Sequence, residues 1–227
     1  MNFFDTHAHF SRLGGEYSLE SQISRAEEMG VTRIVAVGGS CELNKAAGDA
    51  ATAYPGMIRV ALGFDRDEAE ALGKPSDLCD ALDRLRLAVS QLPKRGVQVA
   101  AIGEIGLDYF YSAETAEQQG ALFRAQLELA NELRLPVVIH SRDADVDTLE
   151  ALKDHAQTWS GDPERIGVLH CFTRDAAFAA DLVDLGYHIS FSGIVTFLNA
   201  DPLREVARTI PADRLLIETD SPYLAPA

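Results

Sequence analysis

The sequence predicts an α/β fold, a (β/α)8 barrel of the TIM type, and three observations lead to this fold class. Short aliphatic and β-branched runs recur along the whole chain of 227 residues. The runs are continuous rather than alternating, which is typical of parallel strands buried on both faces. Segments with helical periodicity separate them, as crossover helices do in a barrel. An open doubly wound sheet is the alternative, but no GxGxxG motif follows the first run.

Eight runs have the length and composition of strands. They comprise residues 3–10, 33–39, 58–64, 99–108, 136–142, 166–172, 187–193 and 215–222. Local signals mark the ends of the helices between them. Gly30 stands where a C′ glycine ends a helix, and Thr115 with Gln118 predicts a capping box at the start of another.

The composition gives no sign of a membrane segment or a disulfide framework. Hydrophobic residues make up 47% of the chain, which is ordinary for a globular protein. No apolar run approaches the roughly 20 residues that span a bilayer. Three scattered cysteines, Cys41, Cys79 and Cys171, form no CxxC pair, which argues against disulfides or a thiolate zinc site. We therefore expect a cytoplasmic protein with no membrane partner.

The chain is expected to form one domain over residues 1–227, because no repeat, low-complexity tract or long linker divides it. The eighth run ends close to Ala227, which leaves no sequence for the helix that normally covers the last strand. The expected fold is therefore a barrel whose final helix is missing from this chain.

The formal net charge of −15 limits the class of partner. Proteins that hold duplex DNA through its phosphates usually carry a basic face. We therefore expect no strong binding of duplex DNA. If the substrate is a phosphodiester, the positive charge must come from the site itself, through metal ions and a few arginines.

The first run, FFDTHAHF, places polar side chains in an apolar strand. Alternate side chains of a strand share a face, so Asp5, His7 and His9 point the same way. A single buried histidine is usually a hydrogen-bonded core residue, whereas two on one face are also a pattern for metal ligands. This run alone leaves both interpretations open.

Polar residues also end other runs, and in TIM barrels the active site forms at the carboxyl ends of the strands. The residues at these positions are His7, His9, Glu104, His140, His170 and Asp220. Each alone could be an ion pair or a helix cap. Together they are several buried polar groups, which are costly unless they are paired. A metal cluster satisfies all of them at once.

The residue types predict the chemistry of such a cluster. Imidazole and carboxylate ligands without thiolate suit Zn, Mn or Ni, and Mg less well. Six ligands exceed the need of one catalytic ion, so we expect two divalent ions that share a bridging carboxylate. Metal lowers the pKa of bound water from about 15.7 to near 7, which favours hydrolysis of an ester, an amide or a phosphodiester.

Six segments in order resemble those of the TatD family of metal-dependent deoxyribonucleases, in the amidohydrolase-like group of barrels. They are DTHAHF (5–10), AIGEIGLDYF (101–110), VVIHSRDA (137–144), VLHCFT (168–173), ISFSGIVTF (189–197) and IETDSPYLAP (217–226). The resemblance covers nearly the whole chain. It implies a magnesium- or manganese-dependent 3′→5′ nuclease acting on DNA, in a family of which many members are known only as metal-dependent hydrolases.

The resemblance also implies a role for each candidate ligand. Two sets of side chains would each hold one ion: His7, His9 and Asp220 the first, and His140 and His170 the second. Glu104 would bridge the two ions. Asp220 would also act as the general base that orients or deprotonates the attacking water.

The chain departs from the family pattern after the third run. Where the family carries Gly-x-His-Pro-His, this sequence reads Gly63-Phe64-Asp65-Arg66-Asp67, so both histidines are absent. The family also continues past SPYLAP with a basic Arg-Gly stretch that this chain lacks. These departures affect phosphate recognition more than the metal site.

Two arginines are candidates for binding a substrate phosphate. Arg66 could replace a missing phosphate contact, or it could be a solvated loop residue. Arg142, two residues after His140, could anchor a phosphate as a bidentate donor, or it could cap a helix or form a surface ion pair.

Other polar residues are expected to have structural roles. Asp5 and Glu218 each precede a candidate ligand by two residues, so we expect buried acids that orient the ligands. Asp108 is expected to be structural or to support a ligand. Cys171 is interpreted as a small buried residue rather than a nucleophile, because it and the preceding histidine point to opposite faces of a strand. His155 lies in a helical segment and is not expected to bind metal.

The sequence therefore predicts a dinuclear metal-dependent hydrolase of TatD type that acts on nucleic-acid ends or small phosphodiesters in a 3′→5′ exonuclease-like manner. An amide or ester hydrolase with the same metals is the alternative, motivated by the missing His-Pro-His block and the acidic charge. A degenerate or truncated barrel that binds metal or a partner without catalysis is the third hypothesis, motivated by the missing final helix and the altered loop after the third run.

Overall fold

The structure, a computed structural model, describes residues 1–10 and 18–227 and is built on an eight-stranded parallel sheet. Each strand pairs in parallel with the next strand along the chain. The strands are β1 Phe3–Ala8, β2 Val31–Gly39, β3 Ile58–Phe64, β4 Val99–Asp108, β5 Val137–Arg142, β6 Gly167–Leu169, β7 His188–Phe191 and β8 Leu215–Ile217. This confirms the predicted TIM-type barrel.

Helices alternate with the strands. They are α1 Leu19–Glu28, α2 Cys41–Ala53, α3 Pro75–Gln91, α4 Tyr109–Ser112, α5 Ala116–Leu133, α6 Asp145–Thr158, α7 Ala176–Asp184 and α8 Asp201–Thr209. Residues 218–227, which follow β8, contain no helix. Among the described residues, no helix combines the length and the apolarity that crossing a bilayer requires.

Two helix-end predictions have different outcomes. Gly30 follows α1 with φ +82°, and its N–H donates to the carbonyl of Glu27, so the predicted helix end is confirmed. The predicted capping box at α5 is wrong. Thr115 occupies the N-cap, but its hydroxyl donates to the carbonyl of Ser112 and accepts from the side-chain amide of Gln119, each over 3.0 Å, and it makes no capping bond to a backbone N–H of the helix.

Four predicted strands are too long: the runs 3–10 and 187–193 each by two residues at the carboxyl end, and two others by more. The run 166–172 is a strand only as far as Leu169, and the run 215–222 only as far as Ile217. Neither run could have continued as a strand to its predicted end, because Cys171 has φ +47° and Asp220 has φ +56°, and strands do not use this left-handed conformation.

The barrel is nearly closed by contacts between β1 and the segment after β8. Ala8 forms a parallel bridge with Ser221, whose carbonyl accepts the N–H of His9 over 2.7 Å. The N–H of Asp220 donates to the carbonyl of His7 over 2.9 Å. This pairing brings the first and the last candidate ligands side by side.

Small aliphatic side chains fill the barrel below this point. They are Val35, Val37, Ala61, Ala101 and Val138, from four neighbouring strands. The intervening residues of the same strands pack outward, in two larger clusters between the sheet and the helices. The barrel interior is therefore a packed core that supports polar side chains at its carboxyl end.

His155 links α6 to the outer core and creates a dependence of stability on pH. Its ring is 3% exposed, and Nδ1 lies 2.6 Å from the hydroxyl of Tyr187. Burial lowers the pKa of His155 to about 4, whereas an unfolded histidine titrates near 6.5. The unfolded chain therefore binds a proton more readily between these pH values, so the stabilising contribution present above pH 6.5 is lost as the pH falls toward 4.

We expect the free energy of unfolding to fall by up to about 3 kcal/mol more in the wild type than in His155→Gln as the pH decreases from 7 to 4. Glutamine can keep the contact with Tyr187 but does not titrate. Urea unfolding of both proteins, in one metal-free buffer series, measures the difference. Parallel pH profiles for the two proteins would contradict this assignment.

Candidate metal centre

The first strand supplies two histidines to the carboxyl end of the barrel. His7 is fully buried near the end of β1, and His9 follows that strand directly. Their Nε2 atoms lie 3.1 Å apart. Below them, the Asp5 carboxylate accepts the N–H groups of His7 and Thr219 over 3.2 and 2.9 Å, and the Thr219 hydroxyl over 2.7 Å. Asp5 is thus the expected buried acid, and it joins β1 to the segment after β8.

Glu104 occupies the centre of the candidate cluster. Its Oε2 lies 3.6 Å from Nε2 of both His7 and His9. Its Oε1 lies 3.4 Å from Nδ1 of His140 and 3.3 Å from Nε2 of His170. Each carboxylate oxygen therefore faces one pair of imidazoles, which is the arrangement of a bridging carboxylate.

The prediction that Glu104 ends its strand is wrong. Glu104 is the sixth of ten residues in β4, where the register with β5 shifts between Ile102 and Ile105. The strand continues to Asp108. The cluster therefore lies inside the carboxyl end of the barrel rather than above it.

Asp220 completes the group from the opposite side. Its Oδ1 lies 3.7 Å from Nε2 of both His7 and His9. Two groups of three residues have potential ligand atoms that all lie within 4.8 Å of one another inside the group. One group is His7, His9 and Asp220, and the other is His7, Glu104 and His170. All six residues that the sequence singled out thus come together, with His140 reaching the group through Glu104.

The hydrogen bonds of two histidines show which nitrogen faces the cluster. Nδ1 of His9 lies 3.0 Å from the carbonyl of Val37, and a carbonyl only accepts, so Nδ1 carries the proton. Nε2 of His140 lies 3.1 Å from Oδ2 of Asp108 and donates to it. In the neutral rings, the other nitrogens therefore direct lone pairs at Glu104. Acceptors that face one another at these distances repel unless a cation lies between them, so the donor set fits a divalent ion.

Unpaired buried atoms support the same conclusion. Within the described chain, Nδ1 of His7, both ring nitrogens of His170 and Oε2 of Glu218 are buried without a hydrogen-bond partner. Unpaired buried polar atoms are costly, and of these atoms Nε2 of His170, 3.3 Å from Oε1 of Glu104, is the one that a bound cation would satisfy.

The charge states follow from burial and from mutual contacts. Burial, with the neighbouring His170 and His9, holds the pKa of His7 well below its usual value. Burial raises the pKa of Glu104, but the surrounding imidazoles, His170 first, outweigh it and hold this pKa well below its usual value. Burial lowers the pKa of His170, but Glu104 and Glu218 outweigh it and raise this pKa well above its usual value. A proton on His170 thus occupies the place of positive charge that a metal would take.

Asp220 and Cys171 differ in what they can do near neutral pH. Burial, with the charge of Glu104, raises the pKa of Asp220 to about 6 against the opposing effect of His170, so this carboxyl can accept or hold a proton. Burial raises the pKa of the Cys171 thiol to about 11, and its Sγ lies 3.3 Å from the hydroxyl of Ser192. The thiol is therefore neutral, in agreement with its interpretation as a non-nucleophile. The prediction of a buried strand residue is wrong, because Cys171 is only partly buried, lies after the end of β6 and lines the cavity above the cluster.

The two candidate phosphate-binding arginines lie at the site in different environments. Nη1 of Arg66 is 3.7 Å from Oε1 of Glu104, and its side chain is 20% exposed, so it points at the cluster rather than into solvent. The guanidinium of Arg142 lies over the rings of Phe110 and Tyr111, with its carbon 4.0 and 4.8 Å from the ring centroids. The sequence left a helix cap or a surface ion pair open as structural roles for Arg142, and the structure shows a different one, stacking on aromatic rings.

The sequence analysis did not identify Asp65 as part of the site. Asp65 directly follows β3 and lines a cavity of about 750 Å³ that opens above the cluster. Burial, with the charges of Glu104 and Asp67, raises its pKa to about 7. The rule that strand ends supply active-site residues could have identified it, because it follows β3 as His170 follows β6.

Known proteins resemble this chain in sequence. The profile of the TatD related DNase family matches residues 4–227. The uncharacterized metal-dependent hydrolase YcfH of Escherichia coli (strain K12) is 50% identical over 151 residues, which cover 66% of this chain and 53% of that protein. The 3'-5' ssDNA/RNA exonuclease TatD of Klebsiella pneumoniae (strain 342) is 44% identical over 133 residues, which cover 58% of this chain and 49% of that protein. These alignments span about half the length of the two relatives.

A solved structure agrees with the sequence relatives. The crystal structure of YJJV, a TatD homologue from Escherichia coli K12, superimposes with a TM-score of 0.82 and 32% identity, and covers 99% of this chain and 81% of that one. The fold, the clustered side chains and the profile match are consistent with one another, and the chain belongs to the TatD related DNase family.

Proposed function

We propose that the protein is a divalent-metal-dependent hydrolase that cleaves phosphodiester bonds at the 3′ ends of single-stranded nucleic acid. The observation that carries the proposal is the position of Glu104, whose two oxygens each face a pair of imidazoles. The name of the Klebsiella pneumoniae relative, a 3'-5' ssDNA/RNA exonuclease, supports the substrate class. The proposed location is the cytoplasm.

Two sets of residues would hold the ions. His7, His9 and Asp220 would hold the first, His140 and His170 the second, and Glu104 would hold both. When bound, such ions polarise a phosphoryl oxygen and lower the pKa of water. His9 and His140 are already oriented for this role, through the carbonyl of Val37 and the carboxylate of Asp108.

Asp220 and Arg66 supply the remaining steps. An oxygen of the Asp220 carboxylate accepts the proton of the attacking water, and a pKa near neutral suits a general base. The charge of Arg66 is secured by Glu104, which raises its pKa against the effect of burial. Its guanidinium can therefore bind a phosphate oxygen and stabilise the negative charge that develops there.

The acidic surface favours a single-stranded end over a duplex. With a net charge of −15, binding through many phosphate contacts is unfavourable. A strand end needs few such contacts, and the local charges of Arg66 and the ions would serve them.

A hydrolase of amides or esters is the second candidate. Asp65 and Asp67 stand where the family pattern has histidines, and both carboxylates lie at the cavity. Added negative charge disfavours a phosphate and is tolerated by a neutral acyl substrate.

The test uses protein loaded with Mg²⁺, Mn²⁺, Zn²⁺ or Ni²⁺ and a 5′-labelled single-stranded oligonucleotide. We expect a ladder that shortens from the 3′ end and stops when EDTA is added. A strand blocked with a 3′ phosphorothioate linkage is the matched control for direction. Faster turnover of aryl esters or N-acyl amino acids than of DNA would favour the second candidate, and no turnover of any substrate would refute both.

A further inference from the structure

Two neighbouring aromatic rings of α4 lie exposed, and one of them lines the cavity above the metal cluster. Phe110 is 55% exposed and Tyr111 is 63% exposed. Their ring centroids are 4.8 Å apart, and their planes are nearly perpendicular. Tyr111 lines the cavity that opens above the metal cluster. Large rings that face solvent next to a site of chemistry are a common feature of binding surfaces.

Arg142 joins the two rings into one surface. Its guanidinium carbon lies 4.0 Å from the centroid of Phe110 and 4.8 Å from that of Tyr111, in cation–π contact with both. Arg142 also lines the cavity. We call Phe110, Tyr111 and Arg142 the aromatic platform.

The platform is fixed relative to the metal cluster by one carboxylate. Oδ1 of Asp108 accepts the backbone N–H groups of Phe110 and Tyr111, each over 3.0 Å. Oδ2 of the same carboxylate lies 3.1 Å from Nε2 of His140. The side chain of Gln119 accepts the N–H of Asp108 over 2.8 Å and donates to its carbonyl over 3.2 Å. A ligand on the platform would therefore have a defined distance from the reacting phosphate.

The acidic charge of the protein favours a binding contribution that is not electrostatic, in addition to the few phosphate contacts at the site. The net charge of −15 opposes a phosphate backbone, and Asp67 adds negative charge at the cavity itself. Stacking of a base on an aromatic ring needs no positive charge and tolerates any sequence. The exposed face of Tyr111 offers such a surface.

We infer that Tyr111, supported by Phe110 and Arg142, stacks one nucleobase of the single-stranded substrate and thereby sets which phosphodiester reaches the metal cluster. This inference rests on the proposed nuclease function. It adds a base contact to a site whose other groups address phosphate and water.

The experiment uses the metal-loaded protein and four 5′-labelled oligonucleotides. Each oligonucleotide carries a single abasic residue, at a different one of the four positions nearest the 3′ end. In the wild type, we expect kcat/KM to fall about tenfold at one of these positions and little at the others. Tyr111→Leu keeps an apolar side chain without the ring, and Tyr111→Trp restores a stacking surface. Phe4→Leu, which removes a ring that is 41% exposed in β1, is the matched control.

The variants separate stacking from a general loss of fold. We expect Tyr111→Leu to cut the intact strand about tenfold less efficiently and to lose the dependence on the abasic position. Tyr111→Trp should keep that dependence, and Phe4→Leu should behave as the wild type. The same positional dependence in Tyr111→Leu and the wild type, or none in the wild type, would overturn the inference while leaving the nuclease function intact.

A failure of the nuclease function has a different signature. If the intact strand is not cut, the proposed function fails. Fluorescence anisotropy of the same labelled strands then measures their affinity and tests the base contact independently of cleavage. Affinity that falls at one abasic position in the wild type but not in Tyr111→Leu would support the platform as a binding surface. Equal affinity for all strands would overturn it.

Discussion

Replacing Glu104 by glutamine is expected to reduce the metal content of the purified protein from about two ions per chain to one or fewer. Glutamine has the same shape, so the barrel should fold. Its amide nitrogen donates instead of accepting and would face one of the two pairs of imidazoles. Without the shared carboxylate, turnover should fall by about 10³-fold or more, because activation of water by metal is lost with the ion.

Elemental analysis after reloading and dialysis measures the effect, with circular dichroism as the check on folding. Glu128→Gln, on the exposed side of α5, makes the same change of charge away from the site and should retain both metal and turnover. Two ions per chain in folded Glu104→Gln would contradict the bridging role. Fewer than two ions in the wild type would contradict the dinuclear centre itself.

The polar residues of the site were predictable because a parallel barrel directs strand ends to one place. His7, His9 and His170 needed only the assignment of their strands. Glu104 was predicted as a strand-end residue, but it lies in the middle of β4. The shift in register at this position is not visible in the sequence. The neighbour of Glu104 on β5, His140, is brought near by that pairing rather than by the ends of the strands.

Other features depend on tertiary contacts that no local pattern encodes. Thr115 has the spacing of a capping box, yet its hydroxyl bonds to Ser112 because the preceding residues form a tight turn. Arg142 stacks on two rings that belong to α4, the short helix after the neighbouring strand β4. Asp65, in contrast, was predictable from a local rule, because it directly follows β3. At this position, the sequence had been interpreted only as lacking the histidines of the family pattern.

Replacing Asp220 by asparagine is expected to lower kcat by about 10²- to 10⁴-fold, the range for loss of a general base, while the barrel stays folded. Asparagine preserves the size of the side chain and the backbone N–H that bonds to His7, so the closure of the barrel is unaffected. Its carbonyl can remain near the two Nε2 atoms of His7 and His9, but it cannot take up a proton from water.

Metal content distinguishes the two roles assigned to Asp220. If Asp220 acts mainly as a base and contributes little to ion binding, Asp220→Asn should have near-normal metal content and a low kcat. If Asp220 is an essential ligand, the variant should lose one ion, as expected for Glu104→Gln. Asp213→Asn, exposed before β8, is the matched control and should change neither quantity. Undiminished turnover in Asp220→Asn would remove Asp220 from the mechanism. The proton of the attacking water would then have to go to another group at the cavity, and Asp65, with a pKa of about 7, is the carboxyl whose burial already prepares it to hold one.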